Sequence, residues 1–394
     1  MYATQEIGSL PKPRWYVRSR RGLPATYEDV DEARYWGVKL GIEDHGELIR
    51  LLRKPAGSQR REKVERWAIT YAIRFLESAG LDRVYTGEVS RVEMYEHVAG
   101  KIGGFKQLGR VQSIDNRYYK VFVVEDSISR VAPIYIQEFK IAKEVARKEL
   151  KVPIAGPYTL ADWTLDLYYT SRLQQPSMNL SKVGLEARRN LVEDITRKVL
   201  RPEVRALIES GATWIQVDEP AVTAHPNNED MKLFVESFNM LTKGFSAKFS
   251  LHNCQGRYDV LSKYVAELKN CHQLALEFAN RDSLSLGTED EDRPGYRELK
   301  LFEQNGFNGN YGIGVLHVLD YVGPPQENAP CEGETLIESP ELVRDRLIYA
   351  TKVIGDPSRI SANPDCGLRT RRNWATIMKK LANMVKGARQ AELL

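Results

Sequence analysis

The sequence predicts an α/β protein built as a closed (β/α)8 TIM barrel, and three observations carry that expectation. Short apolar runs ending in small, polar or acidic residues alternate with stretches of helical periodicity, eight such runs can be counted, and no glycine-rich phosphate loop follows any early run. The last point removes the support that an open doubly wound sheet would need. Strand followed by helix implies parallel neighbours joined by right-handed crossovers, and eight repeats are what a closed barrel requires.

In chain order the predicted strands are Ala3 to Gly8, Arg83 to Glu88, Val152 to Gly156, Trp214 to Asp218, Lys248 to His252, Gln273 to Glu277, Tyr311 to His317 and Arg359 to Ala362. Helical periodicity falls between most of them, at Lys63 to Ala79, Ile134 to Glu149, Leu185 to Glu209, Met231 to Thr242, Tyr258 to Leu268, Tyr296 to Gln304 and Pro340 to Val353. Two stretches break the repeat. Gly103 to Val124 reads as a hairpin insertion, and Tyr16 to Pro55, rich in Arg, Gly and Pro, as an N-terminal excursion. Large barrels with insertions reach this size as one unit, so residues 1–394 are expected to form a single domain.

A chain with 42% hydrophobic and 28% charged residues can bury a full core. Its net charge of +4 is spread over 57 basic and 53 acidic residues, with only short basic runs at Arg18, Arg20, Arg21 and at Arg369, Arg371, Arg372. Such runs read as solvated surface, with no nucleic-acid or membrane partner. No apolar run has the length of a signal peptide or a membrane span, which predicts a cytoplasmic protein. Four cysteines in so long a chain do not make a disulfide framework, so each is core filler or ligand.

The metal-ligating residue types gather at strand ends. His252 and Cys254 are two apart at the end of the fifth strand, so both face one side; Glu277 ends the sixth, and Cys366 follows the eighth. All four therefore sit at the C-terminal rim, where sites of this fold are built. A His-x-Cys pair by itself is more often a packed histidine and a buried thiol than a metal site. The arrival of Cys366 and Glu277 at the same rim favours a metal, and thiolate, imidazole and carboxylate together suit Zn²⁺. Cys271 and His272 open the sixth strand at the opposite end and read as structural; Cys331 lies in a Pro-rich loop.

The runs Gln5-Glu6-Ile7-Gly8-Ser9-Leu10-Pro11, Thr86-Gly87-Glu88, Ile215-Gln216-Val217-Asp218-Glu219-Pro220-Ala221, His252-Asn253-Cys254 and Asn363-Pro364-Asp365-Cys366-Gly367-Leu368, in that order, make the chain resemble the cobalamin-independent methionine synthase family over nearly its whole length. The resemblance implies a zinc methyltransferase whose metal ligands are His252, Cys254, Glu277 and Cys366. It implies that homocysteine is held by the backbone of Ile7, Gly8 and Ser9 and by the carboxylates of Glu88 and Asp218, which suit its ammonium group. For Asp218 a strand-end cap is the competing reading. Zinc lowers the pKa of a bound thiol, and two thiolates with one carboxylate leave the site negative, which keeps the sulfur electron-rich.

On the methyl-donor side the resemblance thins. Trp163 matches an aromatic that stacks near the pterin of the family's methylfolate, and Arg117 with Tyr118 matches a further contact pair. The family's long form has an N-terminal barrel with no counterpart here, an acidic donor contact is replaced by Ala224, and the histidine that protonates the departing folate is replaced by Leu319. His317, two residues earlier, reads either as a substitute proton donor or as a packed histidine. The donor is accordingly expected to be a methylcobamide or a methylated corrinoid protein, which needs no protonated nitrogen, or a methyltetrahydrofolate. An alkyltransferase acting on coenzyme M and a non-catalytic thiol-binding paralogue are the rival readings.

Overall fold

A computed structural model describes residues 2–55, 57–112, 118–173, 180–254, 256–319, 321–322, 329–330, 337–371 and 373–393. Its strands are β1 Ala3–Thr4, β2 Arg83–Val84, β3 Ile102–Gln112, β4 Tyr118–Arg130, β5 Glu149–Leu150, β6 Val152–Ala155, β7 Thr164–Asp166, β8 Trp214–Asp218, β9 Lys248–Asn253, β10 Cys271–Leu276, β11 Asn310–Leu316, β12 Tyr321–Val322, β13 Ala329–Pro330 and β14 Ile360–Pro364. Seven of these form one parallel sheet in the order β1-β14-β11-β10-β9-β8-β6. The remaining predicted strand, β2, makes a parallel bridge from Arg83 to Gln5 and pairs in parallel with β5, one residue before β6 begins. All eight predicted strands are thus present in chain order. Among the described residues no helix is long and apolar enough to cross a membrane.

The first two strands stop short of their predicted ends, and for the second the backbone shows why. Gly87 and Glu88 have φ of +54° and +53°, which turns the chain out of the sheet, and Leu10 N–H donates to the Gly87 carbonyl at 2.8 Å. Residues 7 to 10 and 86 to 88 therefore become rim loops held to each other. The expected insertion is a long antiparallel hairpin of β3 and β4, with β7 added in parallel along β4. Its return is anchored by the buried Glu203, which accepts from Ile134 N–H at 2.9 Å, Tyr135 N–H at 2.6 Å and Arg130 Nε at 2.6 Å.

Several helical stretches differ from expectation: Ile134 to Glu149 shortens to Ile136–Val145, with Glu149 in β5, and Tyr296 to Gln304 to Leu299–Gln304. The N-terminal excursion is three helices, Arg14–Arg20, Tyr27–Lys39 and His45–Leu52. Pro and Gly punctuate them: Pro13 caps the first, and Gly22, with φ of +71°, follows its end. The second begins in a capping box between Thr26 and Asp29 and lays Trp36 against Phe75 and Trp374, with ring centroids 5.6 and 5.3 Å away. The run Leu185 to Glu209 extends back to Leu180 and contains a π turn at Ile195–Leu200. That wider turn directly precedes Pro202, which lacks the N–H that would close a regular turn on Lys198. Tyr258 to Leu268 shortens to Tyr258–Leu261 and a 3-10 turn at Val265–Glu267. Finally, Trp374–Ala391 is a full helix after β14, with Trp374, Ile377, Leu381, Met384, Ala388 and Ala391 buried on one face.

The interior of the sheet is polar and matched by glycine. Gln5 Nε2 donates to Gln273 Oε1 at 2.9 Å and to Asn363 Oδ1 at 3.1 Å. On β11 a Cβ at Gly312 would stand 2.4 Å from Asn363 Oδ1, and one at Gly314 2.0 Å from Asp365 Oδ1, so only glycine admits these side chains.

Outside the sheet, Asp282 Oδ2 binds both Arg293 Nη1 (2.6 Å) and Arg346 Nε (2.9 Å), and all three side chains are fully buried. Removing the shared carboxylate strands two guanidinium groups, and breaking a buried pair costs about 3–5 kcal/mol. Asp282→Ala should lose at least about 3 kcal/mol in urea unfolding; a loss under about 1 kcal/mol would contradict this description of the core.

Candidate functional site

Strand β9 alternates Phe249 and Leu251 outward with Ser250 and His252 on the other face, and all four are buried. The next residue of that inward register is Cys254. Cys366 reaches the same place from beyond β14, two residues after Pro364. The ligand atoms of His252, Cys254 and Cys366 all lie within 4.8 Å of one another. The two Sγ atoms are 3.6 Å apart and both thiols are free. That separation is far from a disulfide at about 2.0 Å and close to the roughly 3.8 Å between two thiolates on one tetrahedral ion with Zn–S of about 2.3 Å.

The histidine is set for coordination. Its Nδ1 donates to the Ala275 carbonyl at 3.0 Å, which can only accept, so the lone pair resides on Nε2. Nε2 is buried with no hydrogen-bond partner. A buried orphan nitrogen beside two thiols fits a soft or borderline divalent metal. Between the sulfurs the acidity divides: Cys254 donates to Cys366, which holds the Cys366 thiol well below its usual range, while that bond and burial push Cys254 up. Burial alone would lower the His252 pKa, but Cys366 and Asp218 raise it.

Glu277 follows β10, buried, with its Oε1 3.7 Å from Arg281 Nε, and it stands outside the mutual 4.8 Å group. Its backbone is fixed by Tyr258, whose hydroxyl accepts from Glu277 N–H at 2.9 Å and lies 3.2 Å from the carbonyls of both Asn253 and Glu277. Asp365 accepts from the N–H groups of Phe278 and Ala279 at 3.0 and 2.9 Å, tying the loop after β10 to the residue before Cys366.

Next to the sulfurs lies the Ile7 to Ser9 run. A Cβ on Gly367 would come 2.6 Å from Ser9 N and 2.7 Å from Ser9 Oγ, so the glycine after Cys366 lets the two loops touch. The Ile7 carbonyl and Asp218 Oδ1 each accept from Gln216 Nε2 at 2.7 Å. Asp218 is the register partner of His252 on the neighbouring strand. Glu88, in its left-handed backbone conformation, accepts from Arg91 Nη1 at 3.0 Å, and Arg91 Nε in turn binds Glu138 at 2.8 Å. Burial pushes Asp218 up to about 7, with Glu88 and Cys366 adding to it against His252, and pushes Glu6 up to about 8. Burial raises Glu88 as well, against the pull of Arg91. Carboxyls held back from ionising mainly by burial mark a pocket shielded from water, where a functional site is a reasonable expectation.

The remaining expected residues are more dispersed. Tyr118, exposed, lines a cleft of about 550 Å³ with Pro11, Lys12, Glu93 and Arg369, beside the loops that carry Ser9 and Cys366. Trp163 is 40% exposed and stands 6.0 Å from the Tyr95 ring, apart from that cleft's lining. Arg117 and Cys331 lie outside the described residues. Ala224 is exposed on the 3-10 turn Val222–Ala224, and Leu319 is half-buried. His317 is fully buried: its Nδ1 and N–H both meet Glu338, which also pairs with Lys380 and Arg346. Burial lowers the His317 pKa despite Glu338.

Gln216, Lys151, Glu219 and Asp365 were not singled out from the sequence. Glu219 accepts from Tyr158 N–H at 3.1 Å and Thr159 N–H at 2.7 Å, and a Cβ on Gly156 would strike its carboxyl. The available signal was a Gly-Pro step and a polar residue inside an apolar strand, neither of which names its partner.

Comparison with known proteins bears on this arrangement. The family described as cobalamin-independent synthase, catalytic domain, matches residues 47–295 and 330–390. A protein named methionine synthase from Thermoplasma volcanium is 32% identical over 391 residues, covering 97% of this chain and 95% of its own length. One of the same name from Thermococcus kodakarensis is 32% identical, covering 98% and 91%. A solved B12-independent methionine synthase from Shewanella sp., in complex with selenomethionine, superposes with a TM-score of 0.71 at 19% identity, covering 100% of this chain and 98% of that one. At that identity the superposition speaks to the fold.

The geometry predicts about one thiophilic divalent metal per chain, measured by elemental analysis after purification. Cys254→Ser and Cys366→Ser should each lose most of it while keeping the far-UV dichroism of the parent. Undiminished metal in both serine variants would overturn the site.

Proposed function

The chain belongs to the cobalamin-independent methionine synthase family, and on that premise we propose that it is a zinc-dependent methyltransferase that converts homocysteine to methionine. The observation that carries this reading is the meeting of the His252 Nε2 lone pair with two free thiols 3.6 Å apart. His252, Cys254 and Cys366 would hold the ion, with Glu277, at the end of the adjoining strand, as the fourth donor. Zinc bound there supplies the acidity that presents the substrate sulfur as a thiolate near neutral pH.

This chain's own groups do the rest. The backbone of Ile7, Gly8 and Ser9 and the carboxylates of Glu88 and Asp218 receive the amino-acid end of homocysteine. Arg91 orients Glu88, and the hydrogen-bonded rim loops hold sulfur and donor in line. The bridge at Gln5 and the pairing of β2 with β5 support reading the sheet as an eight-stranded barrel in one domain over residues 1–394.

For the donor we favour a methylated cobamide or corrinoid protein over methyltetrahydrofolate. A departing folate nitrogen needs a proton, and the family's acid is Leu319 here. His317, enclosed with Glu338, Lys380 and Arg346, supports the packed-histidine reading over the substitute proton donor. Tyr118 and Trp163, both exposed, remain the side chains we assign to donor contact, with Arg117 assigned only by the resemblance. Alkylation of coenzyme M is the weaker alternative, because a sulfonate thiol offers no ammonium to the buried carboxylates.

A positioned general acid contributes about 10² to 10⁴ in rate. With homocysteine as acceptor, the protein should form methionine faster from methylcobalamin than from monoglutamyl methyltetrahydrofolate, and His317→Ala should change the methylcobalamin rate by less than about tenfold. Efficient methylfolate turnover that His317→Ala abolishes would show a folate donor with its acid moved by two residues. Absence of methionine with every donor would remove the homocysteine reading.

A further inference from the structure

Below the site, three polar side chains are linked in series. Lys151, immediately before β6, and Gln216, at the centre of β8, are buried on neighbouring parallel strands, with Pro153 in register with Gln216. Lys151 Nζ donates to Gln216 Oε1 at 2.5 Å, and Gln216 Nε2 spends its two hydrogens on the Ile7 carbonyl and Asp218 Oδ1, each at 2.7 Å. The orientation of the amide is forced. A carbonyl only accepts, so nitrogen must face Ile7, which leaves oxygen toward Lys151.

The link joins strands that are not paired with each other in the sheet. Strand β1, which leads to Ile7, pairs with β14, whereas β8 pairs with β6 and β9. Gln216 reaches across to a residue 209 positions away and fixes a carbonyl and a carboxylate at once. Each of those acceptors keeps a second lone-pair direction for a ligand. Two acceptors held at a set separation match an ammonium group, which donates in several directions.

We propose that Gln216, oriented by Lys151, is the positioning residue that sets the Ile7 carbonyl against the Asp218 carboxylate and thereby makes the site selective for thiols that carry an ammonium group. The inference rests on the homocysteine reading above. A residue that merely filled the interior would weaken all thiols alike when replaced; a positioning residue weakens only those with the amine.

The test uses Gln216→Glu, which keeps the size and an acceptor for Lys151 but deletes both donated bonds. The double variant Lys151→Met with Gln216→Met removes the buried amine together with the amide it binds; Glu6, which also faces Lys151, stays, and a folding defect would show in the melting temperature. Binding of homocysteine and of 4-mercaptobutanoate, which lacks only the amine, is measured by calorimetry on the metal-loaded protein, with melting temperature recorded alongside. In both variants Kd for homocysteine should rise about tenfold or more, with Kd for 4-mercaptobutanoate changing less than about threefold. Equal factors for the two thiols, or an unchanged Kd for homocysteine, would overturn the inference while the parent's preference for homocysteine still stood. A parent protein that binds both thiols equally would instead overturn the homocysteine reading, and this inference with it.

Discussion

Two sulfur atoms held 3.6 Å apart, from cysteines 112 residues apart in sequence, are the constraint on which the rest of the structure depends. Cys254 follows β9 and Cys366 follows β14, with β10 and β11 between them in the sheet. Three interstrand spacings of about 4.8 Å put those strand ends roughly 14 Å apart in a flat sheet, too far for two cysteine side chains to meet. The sheet must curl, and its inner face must be free enough to allow it. Gly312 and Gly314 on β11 provide that freedom where Asn363, Gln5 and Asp365 crowd the interior, and Gly367 lets the Cys366 loop close on Ser9.

Curling the sheet brings its consequences in charge. Thiols, Asp218, Glu88 and Glu6 converge where water is scarce, so each carboxyl resists ionising. Part of that crowding is offset inside the protein, by Arg91 on Glu88 and by Lys151 facing Glu6. The same logic locates the supporting shell: Arg91 on Glu88, Gln216 on Asp218, Ala275 on His252 and Tyr258 on the backbone of Glu277.

How much of this was legible in the sequence follows from the kind of signal each part leaves. Trp214–Asp218 emerged with its predicted ends, because an apolar run that stops at an acidic residue marks a buried strand ending at a polar rim. His252, Cys254 and Cys366 were readable because metal-ligating residue types at strand ends gather in space on this fold. The helix at Tyr27–Lys39 was hidden by flanking Gly and Pro, although its Thr26 to Asp29 capping box was present in the sequence. The early exit of β2 depends on φ at Gly87 and Glu88, which no periodicity encodes. The link between Gln216 and Lys151 was not legible for a related reason, since a polar residue inside a strand does not announce the partner across the sheet that satisfies it.

The account stands or falls on whether the substrate sulfur joins the metal that His252, Cys254 and Cys366 are arranged to hold. X-ray absorption at the zinc edge, recorded on the metal-loaded protein before and after homocysteine is added, reads this directly. It should report two sulfur ligands with the remainder nitrogen or oxygen before addition, and three sulfur ligands after it. A sulfur count that stays at two with homocysteine bound would contradict it.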